Sequence, residues 1–270
     1  MRKVSVLVAT CLFLSSCTEK IPENNVLLDL FTPYAFLGET LHGRVKSVNE
    51  NLYWAGMEDG KVVKGKKVTT RERDSLGYSY DFRAEFDENG LLASCQLLDE
   101  NGDVVDNWKF TAENLQWIKG EYFKIDTLRS YVKFTYDTHN FLTQLDQYTP
   151  ATDTVINRFV ISNDSRGRYT TIVRQRPNGE LRDRRIITRD PGGRILTNTF
   201  YAPPDSFQFR STQIYNDKGF YETQLMESKG NPSEKFELVY TYDESGNWIT
   251  AEISRGGILT YFCERQYTYY

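Results

Sequence analysis

Histidine is almost missing from this chain: its 270 residues include His42 and His139 and no others. Neither stands beside a cysteine or an acidic motif, so there is no metal-ligand spacing and no local nucleophile–base pair. Cysteine is scarce too, four in all, with no C-x-x-C pair. After residue 16 no stretch approaches eighteen apolar residues, so no later segment can cross a bilayer as a helix. Clustered positive charge is lacking as well. The densest basic stretch, Arg174–Arg185, is interrupted by Glu180 and Asp183 and reads as the solvated face of a hairpin. With a formal charge of −4, the chain has no electrostatic footprint for nucleic acid. Helical spacing of apolar residues is nearly absent beyond residue 45.

What is present begins at the amino terminus. Arg2 and Lys3 precede an apolar run, Val4–Leu14, of the length of a signal-peptide core. The run ends in "LSSC", Leu14–Cys17. Small residues directly before a cysteine resemble the lipobox of bacterial lipoproteins. That resemblance implies cleavage before Cys17 and lipidation of Cys17, and more than one acyl chain gives stable anchoring. Thr18 follows Cys17, in place of the Asp associated with inner-membrane retention, so the expectation is an outer-membrane lipoprotein facing the periplasm or the surface. The leader covers 1–16, and residues 17–25 form a polar tether. Removing Arg2 and Lys3 lowers the basic count from 33 to 31 against 37 acidic residues, a formal charge of −6.

Aromatic residues are plentiful, with 18 Tyr and 16 Phe, and they recur in a pattern. Aligned on the last residue of an Asp-x-x-Gly turn, the chain shows Gly90, Asn140, Gly167, Gly193, Gly219 and Gly246. The steps are 50, 27, 26, 26 and 27, and "FTAENLQW", Phe110–Trp117, fills the double step as a worn copy. The period is thus about 26 residues. A second turn follows each first by roughly twelve residues, so each unit holds two strands. The segments between turns alternate: Phe236, Leu238, Tyr240 and Tyr242 against Glu237, Val239 and Thr241. Period-two alternation of aromatic and β-branched residues marks half-buried antiparallel strands. A lone hairpin is marginal, so the copies must stack.

"FTYDTHNFL", "YNDKGF" and "YTYDESGNW" resemble the YD repeats of Rhs-type proteins, over about residues 80–270. Asn140 replaces the glycine in one copy and Arg189–Asp190 replaces Tyr-Asp in another. The resemblance implies a wrapped antiparallel sheet; about seven units are too few to enclose a cargo protein. The expected fold is all-β: an antiparallel meander of about seven hairpin repeats forming a single twisted or barrel-like wrapped sheet over one domain, 26–270. Val26–Leu41 is expected to cap the sheet as a short helix or turn. Gly43–Trp54 reads as the first strand, Met57–Val68 as an exposed hairpin, and Arg265–Tyr270 as a last strand with the first as a candidate partner.

Chemistry is sparse. His139 occupies a turn slot that other units fill with Asn89, Lys218 or Ser245. Asp99, Asn101 and Asp103 alternate as in a calcium loop, but Val104 stands where that loop needs glycine. No metal or cofactor is expected. Trp54, Trp108, Trp117 and Trp248 are the candidate ligand-binding aromatics, with core placement as the alternative for Trp248. Cys95 and Cys263 are either a disulfide joining the ends of the array or two separate buried thiols. The expected function is non-catalytic: a membrane-anchored β-repeat surface that binds an envelope protein or polysaccharide. The alternatives are a glycan-active enzyme using paired carboxylates, with Glu85, Glu237 and Glu252 within strands, and a purely structural spacer.

Overall fold

One side-chain oxygen organises many of the reversals of the chain. In the computed structural model, which describes Leu30, residues 41–76 and residues 81–270, Asp137 is typical. Its Oδ1 accepts the N–H groups of His139 (2.8 Å) and Phe141 (2.9 Å), and its carbonyl accepts the N–H of Asn140. The same bonds form at Asp87, Asp99 and Asp164, and at Asn216 through its amide oxygen. The fourth residue must take a positive φ: 79° at Gly167, and 64° at Asn140, the residue type that tolerates it best after glycine. The leader, Cys17, the tether and most of Val26–Leu41 lie outside the described residues.

Between the turns run seventeen strands. They are β1 (Val45–Glu58), β2 (Lys61–Lys67), β3 (Asp81–Phe86), β4 (Leu92–Leu98), β5 (Val104–Glu113) and β6 (Gln116–Lys124). β7 (Thr127–Tyr136), β8 (Leu142–Thr149), β9 (Thr154–Asn163), β10 (Tyr169–Gln175), β11 (Leu181–Arg189) and β12 (Ile195–Ala202) follow. The last are β13 (Ser206–Tyr215), β14 (Tyr221–Ser228), β15 (Glu234–Tyr242), β16 (Trp248–Arg255) and β17 (Ile258–Tyr269). From β3 onward each strand pairs antiparallel with the next, and β1 closes the ring by pairing with both β17 and β3. The result is a closed antiparallel barrel of 16 strands, with β2 as an extra partner of β1. Closure leaves the barrel no edge to protect. The carboxyl-terminal strand does pair with the amino-terminal one, Val45–Trp54 against Tyr261–Tyr269.

The sheet bends by bulges. Each strand returning from the Asp-turn end carries one extra residue next to its start: Ala93, Ile118, Thr143, Thr170, Leu196, Glu222 and Ile249. A bulge kinks the strand and raises its twist, as a curved sheet requires. It also changes the burial period locally. Leu92 and Cys95, Leu142 and Leu145, Tyr169 and Ile172, and Trp248 and Ala251 are buried in pairs three apart.

Beyond each bulge a carbonyl is stranded. Pairing of β8 with β9 stops at Gln144, so Leu142 has no strand to receive its C=O. A side chain of the next hairpin supplies the donor instead: Asn163 Nδ2 to Leu142 O, 2.9 Å. Trp117 Nε1 serves Leu92, Tyr136 Oη serves Trp117, and Arg189 serves Tyr169. Tyr215 and Tyr240 hydroxyls serve Ile195 and Tyr221. Four residue types meet one geometric need in six successive hairpins.

β1 has a similar gap. It pairs with β3 over Ser47–Glu50 and with β2 over Tyr53–Glu58, leaving Leu52 between. The Leu52 N–H donates to Asp81 Oδ1 (2.8 Å), and its carbonyl receives Val68 N–H (3.1 Å) and Arg73 Nη2 (3.4 Å). Arg73 sits on a helix, α1 (Thr70–Leu76), and its buried guanidinium also pairs with buried Asp81. This helix was not expected beyond residue 45. Its signal was present: Thr69 and Glu72 form a capping box, Thr69 N–H to Glu72 Oε2 (2.9 Å) and Glu72 N–H to Thr69 Oγ1 (3.3 Å).

Tyr136→Phe tests the interhairpin bonds. It leaves the Trp117 carbonyl without its donor and is expected to cost about 1–3 kcal/mol. Urea unfolding of the two proteins measures this; equal midpoints contradict it.

Candidate functional site

A closed sheet has one inside, where side chains converge, and an outside, where they diverge into solvent. The converging face carries the core. Val48, Ala84, Cys95, Val132, Leu145 and Ile172 form part of one buried cluster. Leu52, Val68, Phe220, Trp248 and Tyr261 belong to a second, beside the β1–β17 seam. The diverging face carries charge. Lys119 pairs with Glu121 at 2.7 Å, Lys133 lies opposite Asp146, and Arg158 binds Asp146 at 2.7 Å. Tyr131 and Tyr148 stack on this face at 5.0 Å with Lys133 beside them. A barrel that spans lipid needs an apolar outward band, and charges there are costly. The outer face of this barrel mixes these charges with scattered exposed apolar side chains such as Ile118, Ile214 and Val239.

Inside, the two ends differ. At the Asp-turn end the inner side chains are large, apolar and buried: Phe86, Leu92, Trp117, Leu142, Ile195 and Trp248. Toward the other end they become polar or only half-buried, as at Trp108, Tyr122, Gln147, Arg174, Phe200 and Phe209. There Tyr122 donates to Asp106 (2.8 Å), Asn157 to Gln147 (2.7 Å), Gln147 to Ser130 (2.9 Å) and Arg174 to Asp183 (2.6 Å). The barrel is therefore a cup with an apolar floor and a polar upper wall. α1 lies at this second end, where Thr70 N–H and Oγ1 both bind Glu100 on the β4–β5 turn, at 3.0 and 2.5 Å.

The four tryptophans are not one surface. Trp117 and Trp248 are buried and already engaged within the core. Trp117 bonds the Leu92 carbonyl, and Trp248 lies under the Arg265 guanidinium at 3.8 Å. Arg265 is itself buried and bound to Glu50 at 2.7 Å. Trp54, against Tyr261 at 5.3 Å, and Trp108, against Tyr122 at 5.0 Å, remain half-buried inside the barrel. The disulfide is corrected: Cys95 and Cys263 are separate buried thiols. Cys95 faces Ala84 on β3 and Cys263 faces Leu52 on β1, so three strand steps of about 4.8 Å separate them. A disulfide tolerates at most about 7 Å between Cα atoms. Burial pushes the Cys95 thiol up to about 12 and raises Cys263 as well, so both are poor nucleophiles.

The acidic residues are committed elsewhere. Glu85 binds Ser94 and Glu237 binds Lys235 on the outer face, where Glu252 also lies, opposite Val239. Asp99 closes its own turn. His139 is a turn residue, and the His42 backbone is clasped by Asn247. Among the described residues no group of three His, Cys, Asp or Glu side chains converges on a metal position.

No family model matches this chain, and no curated protein does. Among solved structures it is similar to a porin-like protein from Bacteroides uniformis ATCC 8492. The two are 10% identical over 84% of this chain and 98% of the other, with a TM-score of 0.40. A porin-like protein from Bacteroides vulgatus ATCC 8482 is 9% identical over 83% and 98%, with a TM-score of 0.33. The Photorhabdus luminescens Tc holotoxin pore is 14% identical over 83% of this chain and 11% of its own, with a TM-score of 0.35. Likeness at this level carries no assignment of function or location. The lipoprotein and YD-repeat resemblances rest on the residues quoted for them.

Glu72 and Glu100 make the α1 cover pH-dependent. The Thr69 backbone N–H, then its hydroxyl, holds Glu72 from an ordinary 4.5 down to about 2. The Thr70 hydroxyl, then its backbone N–H, does the same for Glu100. A depressed carboxylate stabilises the fold above its ordinary value and loses that contribution as pH falls toward the folded one. Protection factors of the α1 amides, with the intrinsic exchange rate divided out, are thus expected to fall relative to those of the strands between about pH 4.5 and 2. Uniform protection across that window contradicts it.

Proposed function

We propose that this chain is a non-catalytic, lipid-anchored protein of the cell envelope whose barrel is a binding module. Cys17 carries the lipid, and the outer membrane holds it. On this reading seven copies of a hairpin unit of about 26 residues supply β3–β16, and β17 and β1 complete the ring of 16 strands. The ligand, an envelope polysaccharide or a protein partner, enters at the polar end of the cup. The observation that carries this reading is the distribution of polarity. Ion pairs such as Lys119–Glu121, Arg158–Asp146 and Lys235–Glu237 stand on the outside, so on this reading the barrel stands in water and needs an anchor to stay at a membrane. Apolar bulk fills one end of the inside, while half-buried aromatics and hydrogen-bonding groups line the other. Binding sites combine such apolar area with a few placed polar groups.

A glycan-active enzyme would need two facing carboxylates with room between them. Of the interior acids, Glu50, Asp183 and Glu234 are each bound to an arginine, Arg265, Arg174 and Arg255, and Asp106 accepts the Tyr122 hydroxyl instead of facing a second carboxylate. That arrangement favours binding over hydrolysis.

Cys17→Ala is expected to release the full-length chain from the membrane fraction with its β-sheet circular dichroism intact. A variant that still sediments with membranes overturns the lipid anchor.

A further inference from the structure

The hairpins share a core position, three residues after the start of each returning strand. It holds Cys95, Leu145, Ile172 and Ala251, with Gly120 in the worn copy, all buried. Two adjacent hairpins break the rule. Asn198 occupies the position on β12 and Gln224 on β14, with Ser211 and Gln213 on β13 between them. The register makes these four neighbours: Asn198 lies opposite Ser211, and Gln213 opposite Gln224. They form a polar island within an otherwise apolar band.

The island is not self-satisfied. Gln213 Nε2 and Gln224 Nε2 (3.1 Å) both donate to Ser211 Oγ. That leaves Gln213 Oε1 and Asn198 Oδ1 as acceptors with no partner, on side chains 2% and 3% exposed. Buried acceptors without donors weaken a fold, and an apolar residue at each position would restore the pattern of the neighbouring hairpins. Breaks of this kind mark functional positions more often than accidents. One step toward the polar mouth, Phe200 and Phe209 lie on the same inner face, stacked at 5.3 Å and 17°. Both are half-buried, as are Gln224 and Met226 beside them, so solvent reaches this stretch of wall.

We propose that Asn198, Ser211, Gln213 and Gln224, with the Phe200–Phe209 pair, are a binding site for a neutral, hydroxyl-rich ligand: a sugar residue of a glycan. This deepens the binding-module reading and rests on it. The two orphan acceptors ask for donors, which sugar hydroxyls supply. The aromatic pair offers an apolar surface to the C–H face of a ring. The island itself contains no charged side chain, and the nearby Arg174 is bound to Asp183. At the amide island a charged ligand would lose water without gaining a counter-ion. Arg185 lies opposite Phe200 on β11, its guanidinium 5.9 Å from the Phe200 ring, beside the aromatic pair rather than the amides.

The test uses the full-length chain in detergent micelles, titrated by calorimetry and saturation-transfer NMR. The probes are the methyl glycosides of glucose, galactose, mannose and N-acetylglucosamine, with methyl glucuronide as the charged comparison. At least one neutral glycoside is expected to bind with a Kd on the order of millimolar, about −4 kcal/mol. Asn198→Leu/Gln213→Leu is expected to weaken that binding at least tenfold while its Tm stays level or rises, because two orphan acceptors are gone. Lys133→Gln, on the outer face, is expected to bind as the unaltered chain does. Failure of all four neutral glycosides, undiminished binding by the double variant, or tighter binding of the glucuronide overturns the proposal. So does a double variant that binds nothing and melts lower, since the amides would then serve the fold, for instance by holding water. Binding of an envelope polysaccharide fraction separates the two readings. If it persists while the neutral glycosides fail, the site is refuted and the module stands; if both fail, both are refuted.

Discussion

The barrel depends on the carbonyl that each bulge leaves without a strand partner. A 16-stranded ring needs curvature, and the bulges supply it at every Asp-turn hairpin. Each bulge also ends the ladder early on its far side, so one backbone oxygen faces the next hairpin with nothing to accept. Buried and unpaired, six such groups would together rival the net stability of an ordinary domain, since each costs about 1–3 kcal/mol. The donors from Trp117, Tyr136, Asn163, Arg189, Tyr215 and Tyr240 remove that cost and fix each hairpin to the one before it. The residue types differ because only the donor and its reach are specified.

The ring closes by the same logic. β1 is the strand where the meander's two ends meet, and it is shared between β17, β3 and β2. Leu52 falls in the gap between β2 and β3, and Asp81, Val68 and Arg73 replace the missing strand. The ion pair of Arg73 and Asp81 therefore completes a sheet rather than forming a site. This fixes α1 near the polar end of the cup, opposite the apolar floor. The proposed ligand entrance thus shares its end of the barrel with α1.

Much of this was legible. The Asp-x-x-Gly turns and the aromatic alternation follow from residue types whose demands are local, and the last strand, lacking a polar tail, called for a partner with the first strand as one candidate. Closure was left open between a twisted sheet and a barrel, because strand pairing across more than two hundred residues leaves no local mark. α1 was missed because seven residues with a buried arginine show no apolar period, and its capping box was the only signal. Trp117 looked available, and Trp248 stood between core and surface, because composition cannot say which face a bulged strand turns inward. The disulfide was entertained for the same reason: the strand steps between Cys95 and Cys263 become visible only after closure. The polar island on β12–β14 was hidden inside alternation that scores asparagine, serine and glutamine as solvent-facing.

The seam between β1 and β17 is the feature on which cup, floor and entrance all rest. Ser47 Oγ and Thr268 Oγ1 meet across it at 2.7 Å. The double variant Ser47→Cys/Thr268→Cys, in the full-length chain under mild oxidation, should form an intramolecular disulfide with unchanged circular dichroism. Mass spectrometry would identify the 47–268 cross-link. If the two thiols in folded protein stay reduced, or bond only between molecules, the sheet is open and the account of the barrel is wrong.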